Sequence, residues 1–444
     1  MDGLSLYAAG YELKPLIGGR IVKIQQPARD TVILTVRVAS ENHKLLLSAH
    51  PENGRAHLTQ LHYPNPMEAP AFCMLLRKRL TGGRVVSVTQ PHTDRILEIE
   101  IESRDELGDP TRQRLIIELM GRHSNIIFVN ADGVILDCAR HVNAVMSSVR
   151  LLLPGAAYIP APTQQKLNPL LTDEAQVLHI LGGAGDAHEA LYKNLFGVSP
   201  HCARQLVIRW SGEYETKIET LREAEKQGLA RYLFGTFQNL SKGIFTPAMV
   251  LDDKGEPVAY YAFPIAPAGN VVPIPTMRAL LDAFYAGKDQ ADRIRRSGVS
   301  LSRILQNHLS RCHNKLAVYE QAANAGEDLE KLRLYGELLT ANAYALSRGL
   351  KNARLMNYYL EPPQECVAPL DERLSPQENA QRYFKRYQKG KQAKEMARQQ
   401  KEQTLAEIAY LEGQLDNLNK CRTDQEISEI RDELEQGGYT RPAP

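Results

Sequence analysis

The stretch "LIIELMGRHSNIIFVNADG", residues 115–133, decides how the first third of the chain is read. Two apolar runs, Leu115–Met120 and Ile126–Val129, have strand length and β-branched content. Gly121-Arg122-His123-Ser124-Asn125 lies between them. A tight turn needs a glycine or an asparagine to supply unusual backbone angles. It has no need of an arginine, a histidine and a serine as well, so the turn is a candidate binding element. Arginine offers a bidentate fork to phosphate, and histidine and asparagine can meet a base edge. The competing reading is local: Asn125 caps the turn, His123 is solvated, and Arg122 pairs with Glu118 or Asp94.

Outward from this hairpin, residues 1–160 hold a series of short β-branched runs. These are "RIVKI", "TVILTVRV", "KLLLSA", "RVVSVT", "RILEIEIE" and "GVILDCA", separated by Gly, Pro, Asp and Asn. One helix interrupts them, "APAFCMLLRKRL" (69–80), closed by Gly82-Gly83. Many short strands and few helices predict a sandwich or a partly closed barrel. In "DRILEIEIE" (94–102), Leu97, Ile99 and Ile101 take the core face and Glu98, Glu100 and Glu102 the wet face. Arg95 falls on core-face parity, so it either meets a carboxylate or sits at the domain rim.

Residues 153–169 are Pro-rich and extended, and 171–236 switch to helical periodicity. Within that block "FGVSPHCAR" is a helix, a turn of Gly197, Val198, Ser199 and Pro200, and a new helix. Ser199 suits an N-cap and Pro200 the first helical position. Free N–H groups at such a turn can bind phosphate, although any tight helical hairpin has this pattern. Residues 245–265 return to β, with Asp253-Lys254-Gly255 as a hairpin turn.

From about residue 289 the chain changes character. Leu305, Leu309, Cys312, Leu316, Tyr319 and Ala323 recur at spacings of four and three, as do Leu332, Tyr335, Leu339, Asn342 and Leu346. This is a coiled-coil seam with a phase slip near Gly326 and one seam asparagine, Asn342. A second such segment covers 375–436, while Pro362, Pro363 and Pro369 exclude helix between the two. The pattern predicts an antiparallel arm with a small β-like module. Its charge is uneven: 375–404 carry eight Lys/Arg against three acids, and 405–436 three against nine. The basic stretch is either a solvated helix face or a contact for a phosphate backbone. Tyr383, Phe384 and Tyr387 among the bases favour the second reading.

Composition narrows the classes. Net charge is only +2 across 444 residues, so nucleic-acid binding must come from local patches. The six cysteines are scattered without a C-x-x-C pair, which argues against a zinc centre or a disulfide framework. The start, "MDGLSLYAAGYELKPLIGG", has no cationic leader, and no apolar run approaches the roughly 20 residues needed to span a bilayer. A cytoplasmic protein with no membrane partner is expected. No G-x-x-x-x-G-K-[ST], H-E-x-x-H or G-x-S-x-G motif occurs, so no catalytic residue, metal or cofactor is assigned.

The longer motifs resemble one family throughout the chain. "MDG" at the start, "GGRIVKIQQP" (18–27), "KLLLSAHP" (44–51), "FCMLLRKRLTGG" (72–83), "DRILEIEI", "ELMGRHSNII", "LPGAAY", "FGVSP" and "LSPQENAQRYFKRYQK" (374–389) are similar to the NFACT family. The resemblance implies an α+β multidomain protein. A β-rich domain similar to the N-terminal domain of formamidopyrimidine-DNA glycosylases would cover 1–170 plus 240–287. A helix-hairpin-helix domain would cover 171–239, an antiparallel coiled coil 288–347 and 375–436, and a small middle module 348–374. Residues 437–444 would begin a linker to an RNA-binding NFACT-R domain outside this chain, so the full activity of the family is not expected of it. It also implies ribosome-associated quality control: binding of a large ribosomal subunit obstructed by peptidyl-tRNA, through rRNA, and recruitment of tRNA, alanine tRNA in bacteria, for a C-terminal tail made without mRNA. RqcP is a further partner so implied. Peptide bond formation would belong to the ribosome, so the chain is expected not to be an enzyme.

Carried over residue by residue, the family's tRNA-contacting stretches fall on Asp94 and Arg95, and on Glu118, Arg122, His123, Ser124 and Asn125. The phosphate-binding hairpin is Gly197, Val198, Ser199 and Pro200. The basic stretch suggests Lys385, Arg386, Lys389 and Lys391 as ribosome contacts. Two rivals remain. A glycosylase would use an N-terminal proline amine, where this sequence has Met-Asp-Gly. A surface adhesin is the other, since the family's bacterial members were long labelled fibronectin-binding proteins.

Overall fold

The computed structural model describes residues 1–66, 68–104, 108–147, 149–162, 165–266, 270–324 and 329–440. The chain divides into two compact units, Met1–Ala291 and Asp292–Ala443.

In the first unit, β1 (Arg20–Ala28), β2 (Thr31–Val38), β3 (Glu41–Ser48) and β4 (Arg55–Thr59) form one antiparallel meander. A second meander holds β5 (Arg84–Thr89), β6 (Ile96–Arg104), β7 (Pro110–Glu118), β8 (Asn125–Val129) and β9 (Ile135–Cys138). They join edge to edge through β1 and β5 into one sheet of order β4-β3-β2-β1-β5-β6-β7-β8-β9. Of the two expected forms, a sandwich or a partly closed barrel, the two-sheet sandwich is not found: the strands make one long sheet. A single core cluster takes Val32, Leu34 and Leu45 from the first meander and Ile99, Leu115 and Phe128 from the second. The sheet must curl for both halves to share it, because a flat sheet of this width would leave them apart. Helix α1 (Gly3–Tyr11) contributes Leu6 to this core, and α2 (Ala71–Leu80) contributes Leu76 and Leu80. Along β6 the alternation holds: Leu97, Ile99 and Ile101 are buried, and Glu98 meets Arg114 of β7 at 3.3 Å.

Four helices follow: α3 (Glu174–Ile180), α4 (Ala187–Asn194), α5 (Pro200–Ser211) and α6 (Glu223–Ser241). Strands β10 (Ala248–Leu251), β11 (Pro257–Tyr261) and β12 (Asn270–Pro273) form a separate sheet in the order β11-β10-β12. These strands do not extend the large sheet. Ala248, Tyr261 and Phe263 instead share a core with Leu191, Leu206 and Leu233 of the helical block. Apolar contact with the adjacent helices outweighs proximity in strand character.

The long helix α7 (Met277–Asn324) begins in the first unit, where Met277, Leu280 and Leu281 pack on Ala8 and Ala9 of α1. Its later part belongs to the second unit, with α8 (Leu329–Ala341), the hairpin β13 (Asn352–Asn357) and β14 (Gln364–Pro369), α9 (Pro376–Lys420) and α10 (Asp424–Gln436). Pairings run in opposite directions along the two long helices: Glu320 meets Lys401 at 2.9 Å, while Arg293, earlier in α7, meets Asp424 beyond the end of α9. The helices of this unit are thus antiparallel.

Three expectations for this unit change. The segment 375–436 breaks at Cys421–Thr423. Thr423 caps α10, which turns Ile427, Ile430 and Leu434 onto Leu301, Leu305 and Leu411. Asn342 is not a seam residue: it follows the end of α8, and its Nδ2 donates to Leu338 O at 2.8 Å. The aromatics at 383–387 are packing groups. Tyr383 is buried, donates to Pro369 O and meets Tyr335 edge to face, while Phe384 lies over Gly336, where a Cβ would come within 2.9 Å of its ring. The phase slip near Gly326 lies outside the described residues.

Candidate nucleic-acid interface

The register of β6 on β7 pairs Ile96 with Glu118, and Leu119 N–H donates to Arg95 O at 2.8 Å. Asp94-Arg95 and the Met120–Ser124 turn therefore emerge at the same end of adjacent strands. Arg95 is exposed, so the rim placement holds and the buried ion pair does not. Asp94 Oδ1 accepts from the Arg95 N–H at 2.7 Å and anchors its backbone.

The turn itself splits into two sets. Arg122 and His123 are exposed, and Arg122 Nε donates to His123 Nε2 at 3.0 Å. Glu118, Ser124 and Asn125 are buried and hold the turn from within. Glu118 is fully buried and takes a bidentate pair from Arg150 and a hydroxyl hydrogen bond from Tyr158 at 2.9 Å. Arg122 therefore pairs with neither Glu118 nor Asp94. An unpaired carboxylate here would cost several kcal/mol, on the order of the desolvation penalty of a buried ion. Burial and then Glu118 push the Tyr158 phenol well up, so it stays a donor. Asn125 Nδ2 donates to Arg140 O at 2.7 Å, and its Oδ1 accepts from Ile126 N and Arg140 N. Both amide heteroatoms are engaged in holding the turn, and Arg140 donates back to Arg122 O at 2.5 Å.

The hairpin Gly197–Pro200 starts α5 with Ser199 as N-cap, its hydroxyl accepting from Cys202 N at 3.1 Å, and Pro200 as the first helical residue. Ser199 Oγ also donates to Asp2 Oδ2 at 3.2 Å, and Gly197 O accepts from Gly3 N and Leu4 N. The hairpin is thus tied to the start of the chain. An internal carboxylate, that of Asp2, already stands beside the hairpin, so a phosphate there would have to displace it or share its donors. Gly197 has φ +69 and lies so close to Thr93 O that a Cβ would approach to 2.3 Å, so only glycine serves.

These segments surround one cavity of about 820 Å³ in the first unit. Asp2, Arg95, Met120, the Gly197–Pro200 hairpin, Lys166 and Lys288 line it. Lys166 donates to Tyr192 O at 2.8 Å, and Lys288 Nζ sits 3.8 Å over the Phe284 ring. Burial lowers both lysine amines. Phe284, Tyr260 and Tyr285 supply aromatic wall. Sequence reasoning missed Asp2, Lys166, Lys288, Arg140 and Arg150. Asp2 had a legible signal as the N-cap of α1, since its Oδ1 accepts from Ser5 N at 2.8 Å. The lysines had none, because only folding brings them to the cavity.

A second cluster, Asp137, Cys138 and His141, places its potential ligand atoms within 4.8 Å of one another at the end of β9. His141 is held by Asp137 at 2.7 Å. Burial, then the Asp137 charge, pushes the Cys138 thiol up to about 12, against the thiolate a metal needs. In the second unit, Lys385, Arg386, Lys389 and Lys391 lie on α9, with Lys385, Arg386, Lys389 and Lys391 all on its solvent side. Among the described residues no helix is long and apolar enough to cross a membrane.

This organisation, a long sheet with a helical block and then antiparallel helices with a small hairpin, defines a two-unit module. The chain belongs to the NFACT family: the model of the NFACT N-terminal and middle domains matches residues 2–443. It is 37% identical to the Rqc2 homolog RqcH of Bacillus subtilis, over 99% of this chain and 76% of that one. It is 24% identical to human ribosome quality control complex subunit NEMF, over 76% of this chain and 32% of that one. The N-terminal structure of the fibronectin/fibrinogen-binding protein of Streptococcus suis superposes with a TM-score of 0.54 at 32% identity, covering 64% of this chain and 99% of that one. The fibrinogen-binding protein of Staphylococcus aureus gives 0.54 at 31%, covering 64% and 98%.

Proposed function

We propose that this chain is a ribosome-associated quality control factor that positions tRNA. One observation carries the reading: Arg95, Lys166 and Lys288 converge with the Gly197–Pro200 hairpin on one cavity, and Arg122 and His123 stand exposed at the same end of the β6–β7 pair. The relatives named RqcH and NEMF supply the setting.

In this reading the guanidinium of Arg95 and the two lysines meet phosphates, and the aromatic wall takes unstacked bases, as single-stranded RNA is recognised. An anticodon stem-loop supplies both, and alanine tRNA is the substrate the family resemblance points to. The exposed bases of α9 meet rRNA of a large subunit obstructed by peptidyl-tRNA. The chain works by binding, and peptidyl transfer is left to the ribosome.

The test is sequencing of RNA that co-purifies with the protein. Enrichment of alanine tRNA and large-subunit rRNA supports the reading, and RNA reflecting bulk abundance defeats it. The names of the solved relatives favour a second reading, a fibronectin- or fibrinogen-binding surface protein. Cell fractionation separates them: co-sedimentation with large subunits supports the first, recovery on the wall the second. A glycosylase activity predicts nicking of oxidised-base DNA, and none is expected.

A further inference from the structure

The turn that delivers Asp94-Arg95 is strained. His92 has φ +53 and Thr93 φ +61, so two adjacent non-glycine residues occupy the left-handed region. For a β-branched threonine this is a true outlier, and strain of this kind persists only where the surroundings over-determine it.

The surroundings do so with three chain segments. Gln90 Nε2 donates to Gly3 O at 2.9 Å and to Asp94 O at 2.7 Å. Thr93 Oγ1 reaches Phe196 O at 3.3 Å, and the His92 ring stacks on Phe196 at 5.8 Å with 25° between planes. Gly3 and Gly197 close on Thr93 O so tightly that a Cβ on either would lie within 2.3 Å of it. Gln90 Oε1 is buried with no hydrogen-bond partner among the described residues. The fold accepts that cost and keeps the amide on its two carbonyls.

We infer that Gln90 and His92 are positioning residues for RNA, and that Gln90–Thr93 is a clasp fixing the root of Arg95 relative to the Gly197–Pro200 hairpin. The inference rests on the RNA-binding reading of the cavity. Its logic is that the Asp94-Arg95 peptide is pinned on both sides. Gln90 holds the Asp94 carbonyl and the Asp94 carboxylate holds the Arg95 N–H, while the guanidinium remains exposed. A fixed root with a free fork is the preorganisation a phosphate contact requires. Neither Gln90 nor His92 need touch RNA for this.

The experiment compares Gln90→Ala, His92→Gly and Arg95→Ala in the 444-residue chain. Each is titrated with fluorescein-labelled bulk bacterial tRNA at several salt concentrations and melted thermally. Gln90→Ala and His92→Gly are expected to bind about tenfold more weakly with the salt slope unchanged, because placement is impaired while the number of phosphates neutralised stays the same. Glycine relieves the strain at position 92, so His92→Gly should melt no lower than the parent. Arg95→Ala should weaken binding and flatten the slope by about one unit. If Arg95→Ala binds like the parent, the RNA reading of the cavity fails. If Arg95→Ala weakens binding while Gln90→Ala and His92→Gly do not, the clasp inference alone is overturned. It is overturned equally if both lose affinity only in step with a fall in melting temperature.

Discussion

Arg95 takes the rim, one of the two places left open for it, and the buried ion pair is made by Arg150 instead. The parity of "DRILEIEIE" puts Arg95 on the core face, yet it precedes the first residue of β6 and is exposed. Arg150, from an irregular stretch with no periodicity, is the arginine that reaches the fully buried Glu118. Arg150→Ala should therefore destabilise by about 3–5 kcal/mol, because it strands a buried carboxylate. Arg95→Ala should change stability by no more than about 0.5 kcal/mol, as at other exposed positions. Denaturant titration of both decides it, and equal losses would mean that Arg95 is structural. Arg95→Lys should restore RNA binding poorly, since it lacks the planar fork. Asp94→Asn should be mild, because an amide oxygen can still accept from the Arg95 N–H. The turn residues divide the same way: the motif marks all five positions, and burial assigns Arg122 and His123 outward and Ser124 and Asn125 inward.

At the scale of elements, β4 and the start of α7 are joined by buried charge. Arg55 pairs with Asp289 and lies 4.3 Å from the Tyr285 ring centroid. His57 Nε2 lies 3.0 Å from Asp282, which also accepts from Thr59 Oγ1 and Gln60 N. Burial lowers the His57 imidazole from 6.5, against the opposing pull of Asp282. Burial would raise the Asp282 carboxyl from 3.8, but hydrogen bonds from His57, Gln60 N–H and Thr59 outweigh it and lower it. Both folded values lie below their unfolded ones, so the unfolded chain binds protons more readily at acid pH. Stability from this pair is complete above about 6.5 and is lost as pH falls, first through His57 and then, below about 3.8, through Asp282. Melting temperature should decline from about pH 7 to about pH 5, and His57→Gln should flatten that decline. An unchanged pH profile would mean that His57 does not drive it. On α9, reversal of Lys385, Lys389 and Lys391 to Glu should weaken large-subunit binding and reduce its salt slope by about one unit for each phosphate no longer neutralised. The helix should still form, since these side chains face solvent. Subunit binding unchanged across salt concentrations would return the stretch to a solvated face.

For the whole molecule, two units with separate cores carry two proposed RNA contacts. Arg95→Ala should lose tRNA and keep large subunits, and the α9 reversal should do the opposite. Sedimentation with purified subunits and a tRNA titration on both variants test this dissociation. Parallel losses in one variant would mean that a single surface serves both RNAs.

The sequence by itself determined what depends on neighbours along the chain. Strand alternation in β6, the Ser199–Pro200 start of α5, the Asp252–Glu256 turn and the Ser375–Glu378 capping box of α9 all follow from side chains within a few residues of one another. The 121–125 turn stood out for the same reason, as a dense polar run where turn geometry alone has no use for it. Only the tertiary structure decided what depends on distant partners. It joined two meanders into one curled sheet, placed β10–β12 on the helical block, and folded α10 back. It also buried Glu118 against Arg150 and gathered Asp2, Lys166 and Lys288 around Arg95. The periodicity of a segment states which face is apolar. Which surface covers that face is settled by packing across the whole chain, where contacts between residues far apart in sequence decide.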